Sequence, residues 1–361
     1  MNKRALLEWY GQSRRDLPWR RTRDPYAIWV SETMLQQTRV DTVLPYYARF
    51  LRELPDVMSL AGAPEERVLA LWSGLGYYRR ARMLHAAAKT VAGEHGGRLP
   101  EEADALRRLE GVGAYTAGAI ASIAFGKRAA LVDGNVARVL ARLFAIEDDV
   151  KRTAGTARVW AIAERLVAEV DGPVGDWNQA LMELGAMVCT PRDPRCGDCP
   201  VAAGCEARAL GIAGELPRVS AKRRPLTVKR VALVIASASH VVLARRRRGA
   251  LFGGLWEPPL AEGVDPRPLA SALGIRTALR ASGRVVHVLS HRRMEVDVFV
   301  TALGKRRRWA PPGEEYDAVE LVRVDEVGSR PHSTLARKVL RTAGVLPLAK
   351  APGVGLRSHS K

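Results

Sequence analysis

The hydrophobic pattern changes period once along the chain. Up to about residue 210 the apolar positions recur at helical spacing, as in 65–72, 80–91 and 157–170. Gly- and Pro-rich breaks such as SGLGYY, EHGGRLP and DGPVGD separate these runs. Few residues there favour extended strands, so an all-α domain is predicted. Asp24 and Pro25 form an N-cap followed by a first-turn proline, which opens a helix through Glu32. From Val228 the pattern alternates. VKRVALVIAS and HVVLARR predict two strands around a tight turn. RVVHVLS and MEVDVFVTAL predict a second, half-buried pair, and SRPHSTLARKVL a closing helix. The expected fold class is therefore multi-domain, an all-α domain followed by an α+β domain. The boundaries read as a helical domain over 1–213, a basic linker over 214–227 able to lie along a phosphate backbone, an α+β domain over 228–345, and a basic, disordered tail over 346–361. No internal repeat is visible.

One helix breaks its own pattern. SETMLQQTRV, residues 31–40, places Glu32, Gln36 and Gln37 inside a stretch flanked by Ile28, Trp29, Val30, Val43 and Leu44. A buried carboxylate is costly unless it is paired or used.

Charge adds a partner class. The 361 residues are 47% hydrophobic, enough for sizeable cores, and carry a formal net charge of +19. Residues 1–215 hold 29 Lys+Arg against 27 Asp+Glu, whereas 216–361 hold 28 against 11. A polyanionic partner is expected, gripped mainly by the second half. The N-terminus shows no apolar signal region and no run of about 18 apolar residues occurs, so a cytoplasmic protein without membrane contact is expected.

All four cysteines, Cys189, Cys196, Cys199 and Cys205, fall in one segment with the spacing C-x6-C-x2-C-x5-C. Clustered thiols in a cytoplasmic chain point to a metal centre rather than disulfides. Zinc and iron–sulfur both fit four thiolates, and the open spacing favours iron–sulfur. This spacing resembles the [4Fe–4S] loop of the endonuclease III group of DNA glycosylases, which implies one [4Fe–4S] cluster and brings Arg192 and Arg195 toward DNA. LEGVGAYTAG, with Gly111 and Gly113 before a helix of small residues, suits backbone approach to a phosphate. It resembles the helix–hairpin–helix of the same family. Asp133 precedes Asn135 at the start of a helix, where a carboxylate is favoured as the anion. Its distance from the hairpin matches the family's catalytic Asp. A fixed anion there suits a developing glycosyl cation.

LPWR, DPYAIWVSETMLQQTRV, GLGYYRRARMLH and WNQALMELGAMVCTP together resemble the adenine DNA glycosylases of the MutY type over nearly all of residues 7–210. The resemblance implies excision of adenine mispaired with 8-oxoguanine in double-stranded DNA, preventing G·C to T·A mutation, by a protein expected to act as a monomer. Glu32 matches the general acid that protonates adenine N7, its pKa raised by burial beside Leu17, Trp19, Val30 and Met34. Asp133 matches the cation-stabilising carboxylate, and Tyr115 and Asn135 match residues that orient Asp133 and the sugar. Strand-cutting relatives carry Lys at position 115; a phenol forms no imine, so a monofunctional glycosylase is expected. Gln179 matches the residue that reads the adenine edge, and Arg15 and Arg20 match residues beside the pocket. Gln37, with Leu35 near it, and Tyr77 match residues inserted into the duplex when the base is flipped.

Residues from about 228 to 345 resemble a Nudix-type domain. The acidic metal-binding helix of Nudix hydrolases is missing, so nucleotide hydrolysis is not expected. The family's 8-oxoguanine-reading F-S-H loop matches Leu289, Ser290 and His291, with Leu in place of Phe. The competing readings are an endonuclease III-like pyrimidine-damage lyase, opposed by Tyr115; a Nudix hydrolase, opposed by the missing acids; and a non-catalytic iron–sulfur DNA-binding protein, which has no need of Glu32 and Asp133 together.

Overall fold

The computed structural model describes residues 1–220 and 225–347. Among these the chain forms two compact units, one of residues 1–68 with 79–220, the other of residues 69–78 with 225–347. No helix of the described residues is long and apolar enough to cross a membrane.

The region before the linker is helical throughout. In chain order its helices are α1 Lys3–Ser13, α2 Pro25–Leu35, α3 Val40–Glu53, α4 Val57–Gly62, α5 Glu65–Trp72, α6 Arg79–Glu94, α7 Ala103–Leu106, α8 Ala114–Ala119, α9 Gly134–Leu143, α10 Thr153–Ala168, α11 Val174–Met187 and α12 Glu206–Ala209. The α2 cap forms as expected: the Asp24 carboxylate accepts from Tyr26 N and Ala27 N, and Pro25 takes the first position. Every residue from Tyr26 to Met34 is buried. A helix buried all round shows no clean apolar stripe, which is why its polar residues stood out. α8 runs on into a π-helical turn, Ile120–Ala124, a form often found near functional sites.

α9 and α11 meet closely. At Gly185 an added Cβ would lie 2.6 Å from Asn135 Cβ and 3.0 Å from Asn135 O. Only glycine lets α11 approach the first turn of α9 this closely.

The second unit holds a seven-stranded sheet of β1 Leu226–Ala236, β2 His240–Arg246, β3 Trp256–Glu257, β4 Leu260–Glu262, β5 Arg280–Val288, β6 Arg292–Ala302 and β7 Tyr316–Arg323. Its main path runs β3-β2-β1-β6-β5, with β4 paired to β1 and β7 to β2. β1 and β6 are parallel along their whole length, Leu226 opposite Arg292 through Ala236 opposite Ala302. β1 meets β2 only at Ala236 and Val241. The expected closing helix is present as α14, Thr334–Thr342, and β5–β6 form the expected hairpin.

β1 is buried on both faces along most of its length. Val231, Leu233 and Ile235 pack with Leu269 and Leu273 on or beside the helix α13, Arg267–Ala272, while Ala232 and Val234 pack with Leu335, Val339 and Leu340 of α14. Both faces are covered, so its apolar run is nearly continuous. β3, β4, β7 and α13 carry too little period to be read from sequence. α13 reads RPLASA and holds no carboxylate. The buried Glu257 is instead committed to Arg246 at 2.5 Å and accepts from Tyr316 Oη at 2.9 Å.

The described part of the linker is tied down. Arg142 Nε donates to Leu216 O at 2.8 Å, Arg218 pairs with Glu147 at 2.7 Å, and Ser220 donates twice to Asp149. Residues 221–224, and all of the expected tail beyond Pro347, lie outside the described residues; Leu346 packs against the sheet core.

Gly185→Ala should cost about 1–3 kcal/mol in urea unfolding, because neither backbone can retreat. A loss below about 0.5 kcal/mol would show that α9 and α11 are free to separate.

Candidate active site

α2, the α8 hairpin, the start of α9, and α11 converge on one cleft in the helical unit. Its walls include Arg15, Leu17, Trp19, Arg20, Glu32, Leu35, Gln37, Gly111, Gly113, Tyr115, Asp133, Asn135 and Gln179. All thirteen were singled out from sequence at widely separated positions, and the fold brings them together. Tyr77, the Leu289–His291 turn and the four cysteines lie outside this cleft.

Glu32 is only 4% exposed. Burial raises its pKa to about 7; the Tyr115 hydroxyl, which donates to Glu32 Oε2, and the Arg20 charge oppose that rise, while the Asp133 charge adds to it. Trp29, Val30 and Met34 of the same helix are buried as well. Tyr115 Oη also lies 3.5 Å from Met182 Sδ, which fixes the ring between α8 and α11. The result is a carboxyl group that gives up a proton near neutral pH.

Asp133 is the N-cap of α9. One oxygen accepts from Val136 N at 2.7 Å, the other from Asn135 Nδ2 at 2.9 Å. Burial shifts its pKa upward, and these hydrogen bonds oppose the shift. The expected anion is thus held against desolvation by donors at a helix N-terminus. Gly111 has φ +76 and packs against Met83, where a Cβ would sit 2.6 Å from Met83 Cβ. Glycine there turns the hairpin so that α8 carries Tyr115 into the cleft.

From Asp133 a chain of hydrogen bonds leads to the cysteine segment. Arg138 Nη2 donates to Asn135 Oδ1 and to Gly185 O, both at 2.8 Å, and Arg138 Nε donates to Cys189 O at 2.8 Å. One turn later Arg142 Nη1 donates to Cys189 Sγ at 3.3 Å and to Thr190 O at 2.7 Å. The four cysteines line one cavity with Val139, Arg142 and Leu184. Among the described residues no group of three or more His, Cys, Asp or Glu is gathered as for a single metal ion. Four thiols around one cavity, with a guanidinium on one sulfur, fit a negatively charged cluster larger than one ion.

Sequence reasoning missed two residues. Glu183 is wholly buried and takes bidentate hydrogen bonds from both Arg15 and Arg20, each closing to 2.7 Å. Burial pushes its pKa up, but the two arginines outweigh it and hold it at about 2. Arg15 and Arg20 therefore line the cleft as partners of Glu183. In the sequence Glu183 lies four residues after Gln179, one turn along the same helix. Arg80 Nη1 donates to Thr33 O, Met34 O and Gln36 O, closing the open C-terminal end of α2. Just beyond, Gln37 takes φ +57, a left-handed backbone unusual outside glycine. Tyr77 has φ +49. Both side chains matched to duplex insertion thus stand on backbone that is held in an uncommon form.

In the second unit, Leu289, Ser290 and His291 form the β5–β6 turn, closed by Leu289 N donating to Arg292 O at 2.7 Å. Leu289 is half-buried against the sheet core; Ser290 and His291 are exposed. Ser290 Oγ and Tyr77 Oη lie 2.9 Å apart in the same unit.

Both parts of the chain are similar to known proteins. Residues 30–165 match the HhH-GPD superfamily of base excision DNA repair proteins, and residues 230–342 match the NUDIX domain. The adenine DNA glycosylase of Homo sapiens is 37% identical over 405 residues, covering 93% of this chain and 73% of that protein. The adenine DNA glycosylase of Arabidopsis thaliana is 37% identical over 357 residues, covering 81% of this chain and 56% of that protein. Among solved structures, a thermostable thymine-DNA glycosylase superposes with TM-score 0.53 at 33% identity, over 58% of this chain and 95% of that one.

The Glu32 carboxyl binds its proton more tightly in the folded chain than its ordinary pKa of 4.5 allows. Its contribution to stability is therefore present below pH 4.5 and lost as pH rises through about 7. Glu32→Gln should gain stability relative to the parent across that window, by roughly 1–3 kcal/mol, and hold the gain above it. A difference that does not change with pH would show that Glu32 titrates normally.

Proposed function

The chain belongs to the adenine DNA glycosylase family, and from that membership we propose that it hydrolyses the N-glycosidic bond of adenine opposite 8-oxoguanine or guanine in duplex DNA. The observation that carries the reading is Glu32: a buried carboxyl with a pKa near 7, facing Asp133 across a cleft also lined by Gln179.

Adenine is a poor leaving group until N7 is protonated, and Glu32 is the acid placed to do it. As the C1′–N9 bond lengthens, positive charge builds on the sugar. Asp133, oriented by Asn135, stabilises that charge. Water then attacks C1′ and Glu32 takes its proton, the logic of paired carboxylates in glycoside hydrolysis. Tyr115 holds Glu32 and offers no amine, so the sugar–phosphate chain stays intact until alkali cleaves it. Gln179 reads the adenine edge from α11. Gln37 and Leu35, at the end of α2, fill the space that the flipped base leaves. Tyr77 is inserted into the duplex as a wedge, and the Leu289–Ser290–His291 turn reads the opposite purine, where Leu289 supports the turn from the core side.

Cys189, Cys196, Cys199 and Cys205 would hold one [4Fe–4S] cluster, a rigid anchor for the loop carrying Arg192 and Arg195. In this reading 1–213 excises, 228–345 recognises, 214–227 joins them, and the protein acts as a monomer.

Duplexes with A opposite 8-oxoguanine, A opposite G, T opposite G, or thymine glycol separate the readings. Only the adenine strands should become alkali-labile. Glu32→Gln should bind the first duplex and cut it at least about 100-fold more slowly; normal cutting would remove Glu32 from the chemistry. His291→Ala should lose more rate on A opposite 8-oxoguanine than on A opposite G at limiting enzyme. An equal loss on both would deny the turn its reading role.

A further inference from the structure

The excess positive charge of residues 216–361 is not absorbed by the turn that reads the opposite base. Many arginines of the sheet unit are neutralised where they stand. Arg245 meets Asp317 at 2.7 Å, Arg284 meets Asp297 at 2.6 Å, Arg293 meets Glu295 at 3.1 Å, Arg323 meets Asp325 at 2.7 Å and Arg330 meets Glu320 at 2.8 Å.

The segment between β6 and β7 is different. It reads GKRRRW, Gly304–Trp309, and Lys305, Arg306, Arg307 and Arg308 are all exposed. Its hydrogen bonds go to carbonyl oxygens, not carboxylates: Arg306 Nη1 to Leu273 O at 2.8 Å, Arg306 Nε to Arg308 O at 2.9 Å, and Arg307 Nη1 to Gly304 O at 2.7 Å. These bonds fix the Arg306 and Arg307 guanidinium groups without cancelling their charge. The segment is also pinned at both ends. Leu303 N donates to Ala236 O at 2.9 Å, and the Trp309 ring is buried with Val231, Leu233 and Leu273. Four adjacent cations are thus held on a rigid base, which lowers the ordering cost of meeting an anion.

We propose that Lys305–Arg308 is a second DNA-binding surface, one that grips the phosphates of undamaged duplex. The chemistry selects this partner. The only aromatic residue of the segment is buried, so there is no ring on which single-stranded bases would stack. The exposed residues include no apolar side chain to enter a bilayer. What remains is fixed positive charge, which suits a regular array of phosphates. The surface is separate from the Leu289–His291 turn. That turn precedes β6 and the basic segment follows it, and the 11 residues of β6 span about 35 Å. The two therefore contact different phosphates. The proposal rests only on duplex DNA being the substrate, not on which base is removed.

The test is a Lys305→Ser, Arg307→Ser, Arg308→Ser variant of the full chain, which spares Arg306 and Trp309. Binding to an undamaged 30-base-pair duplex is measured over a salt series, alongside a control with Arg284, Arg293 and Arg323 changed to Ser. Each lost phosphate contact flattens the slope of log K against log salt by about 0.9, so the variant should flatten it by about 2–3 and the control by less than 1. Single-turnover excision at saturating enzyme should be unchanged. An unchanged slope would overturn the proposal. So would an equal flattening in the control, or a loss confined to binding of phosphatidylglycerol vesicles. If neither protein excises adenine but the slopes differ as stated, the second surface stands and the proposed reaction falls.

Discussion

A carboxyl group wrapped in apolar side chains, with one phenol donating to it, is the constraint around which the helical unit is arranged. Desolvation makes the Glu32 anion expensive, and the neighbouring Asp133 charge makes it more so. Tyr115 and the Arg20 charge recover part of that cost but leave the group with a pKa near neutrality. The surroundings must then be rigid, because a cleft that let water reach Glu32 would return it to an ordinary carboxylate. Arg80 closes the end of α2, Gly111 lets α8 bring Tyr115 inward, and Gly185 lets α11 come up to α9. Glu183 holds both Arg15 and Arg20 and cancels one of their two charges, which limits their pull on Glu32.

Asp133 answers a different demand. It needs to persist as an anion in a buried place, and the start of α9 supplies the donors. Those donors are themselves fixed through Arg138, which reaches Gly185 O and Cys189 O, and Arg142 continues the line to Cys189 Sγ and Leu216 O. One helix thus joins the carboxylate at its first turn to the cysteine segment and the linker at its last. Burial raises the pKa of both acids in this cleft, but Asp133 has backbone and Asn135 donors opposing the rise where Glu32 has only the Tyr115 hydroxyl. That asymmetry is what an acid–anion pair requires.

Most of the cleft was legible in the sequence because its residues come in short dense motifs. Asp24-Pro25 marks the start of α2, and a Glu inside an apolar helix announces a use. Glu183 escaped notice for a physical reason: an acid one turn from a polar Gln looks like a solvated face until Arg15 and Arg20, more than 160 residues away, are seen to bury it. Arg80 was hidden likewise, since most of its partners are backbone carbonyls that no side-chain pattern records. In the second unit the long strands were readable, but β1 pairs mainly with β6, a parallel match that sequence neighbours do not reveal. β3 and β4, at two and three residues, are too short to show alternation. Leu289, which stands where the family's F-S-H loop has Phe, is half-buried against the sheet core, while Ser290 and His291 are exposed.

The central claim is that one buried proton on Glu32 drives excision. The most direct test is the pH dependence of single-turnover adenine release from a duplex with A opposite 8-oxoguanine, measured from pH 5 to 9 with substrate binding followed in parallel. The account requires the rate to fall as pH rises through about 7, where Glu32 loses its proton, while binding stays level. A rate that is flat through pH 7, or that falls only with binding, would contradict it.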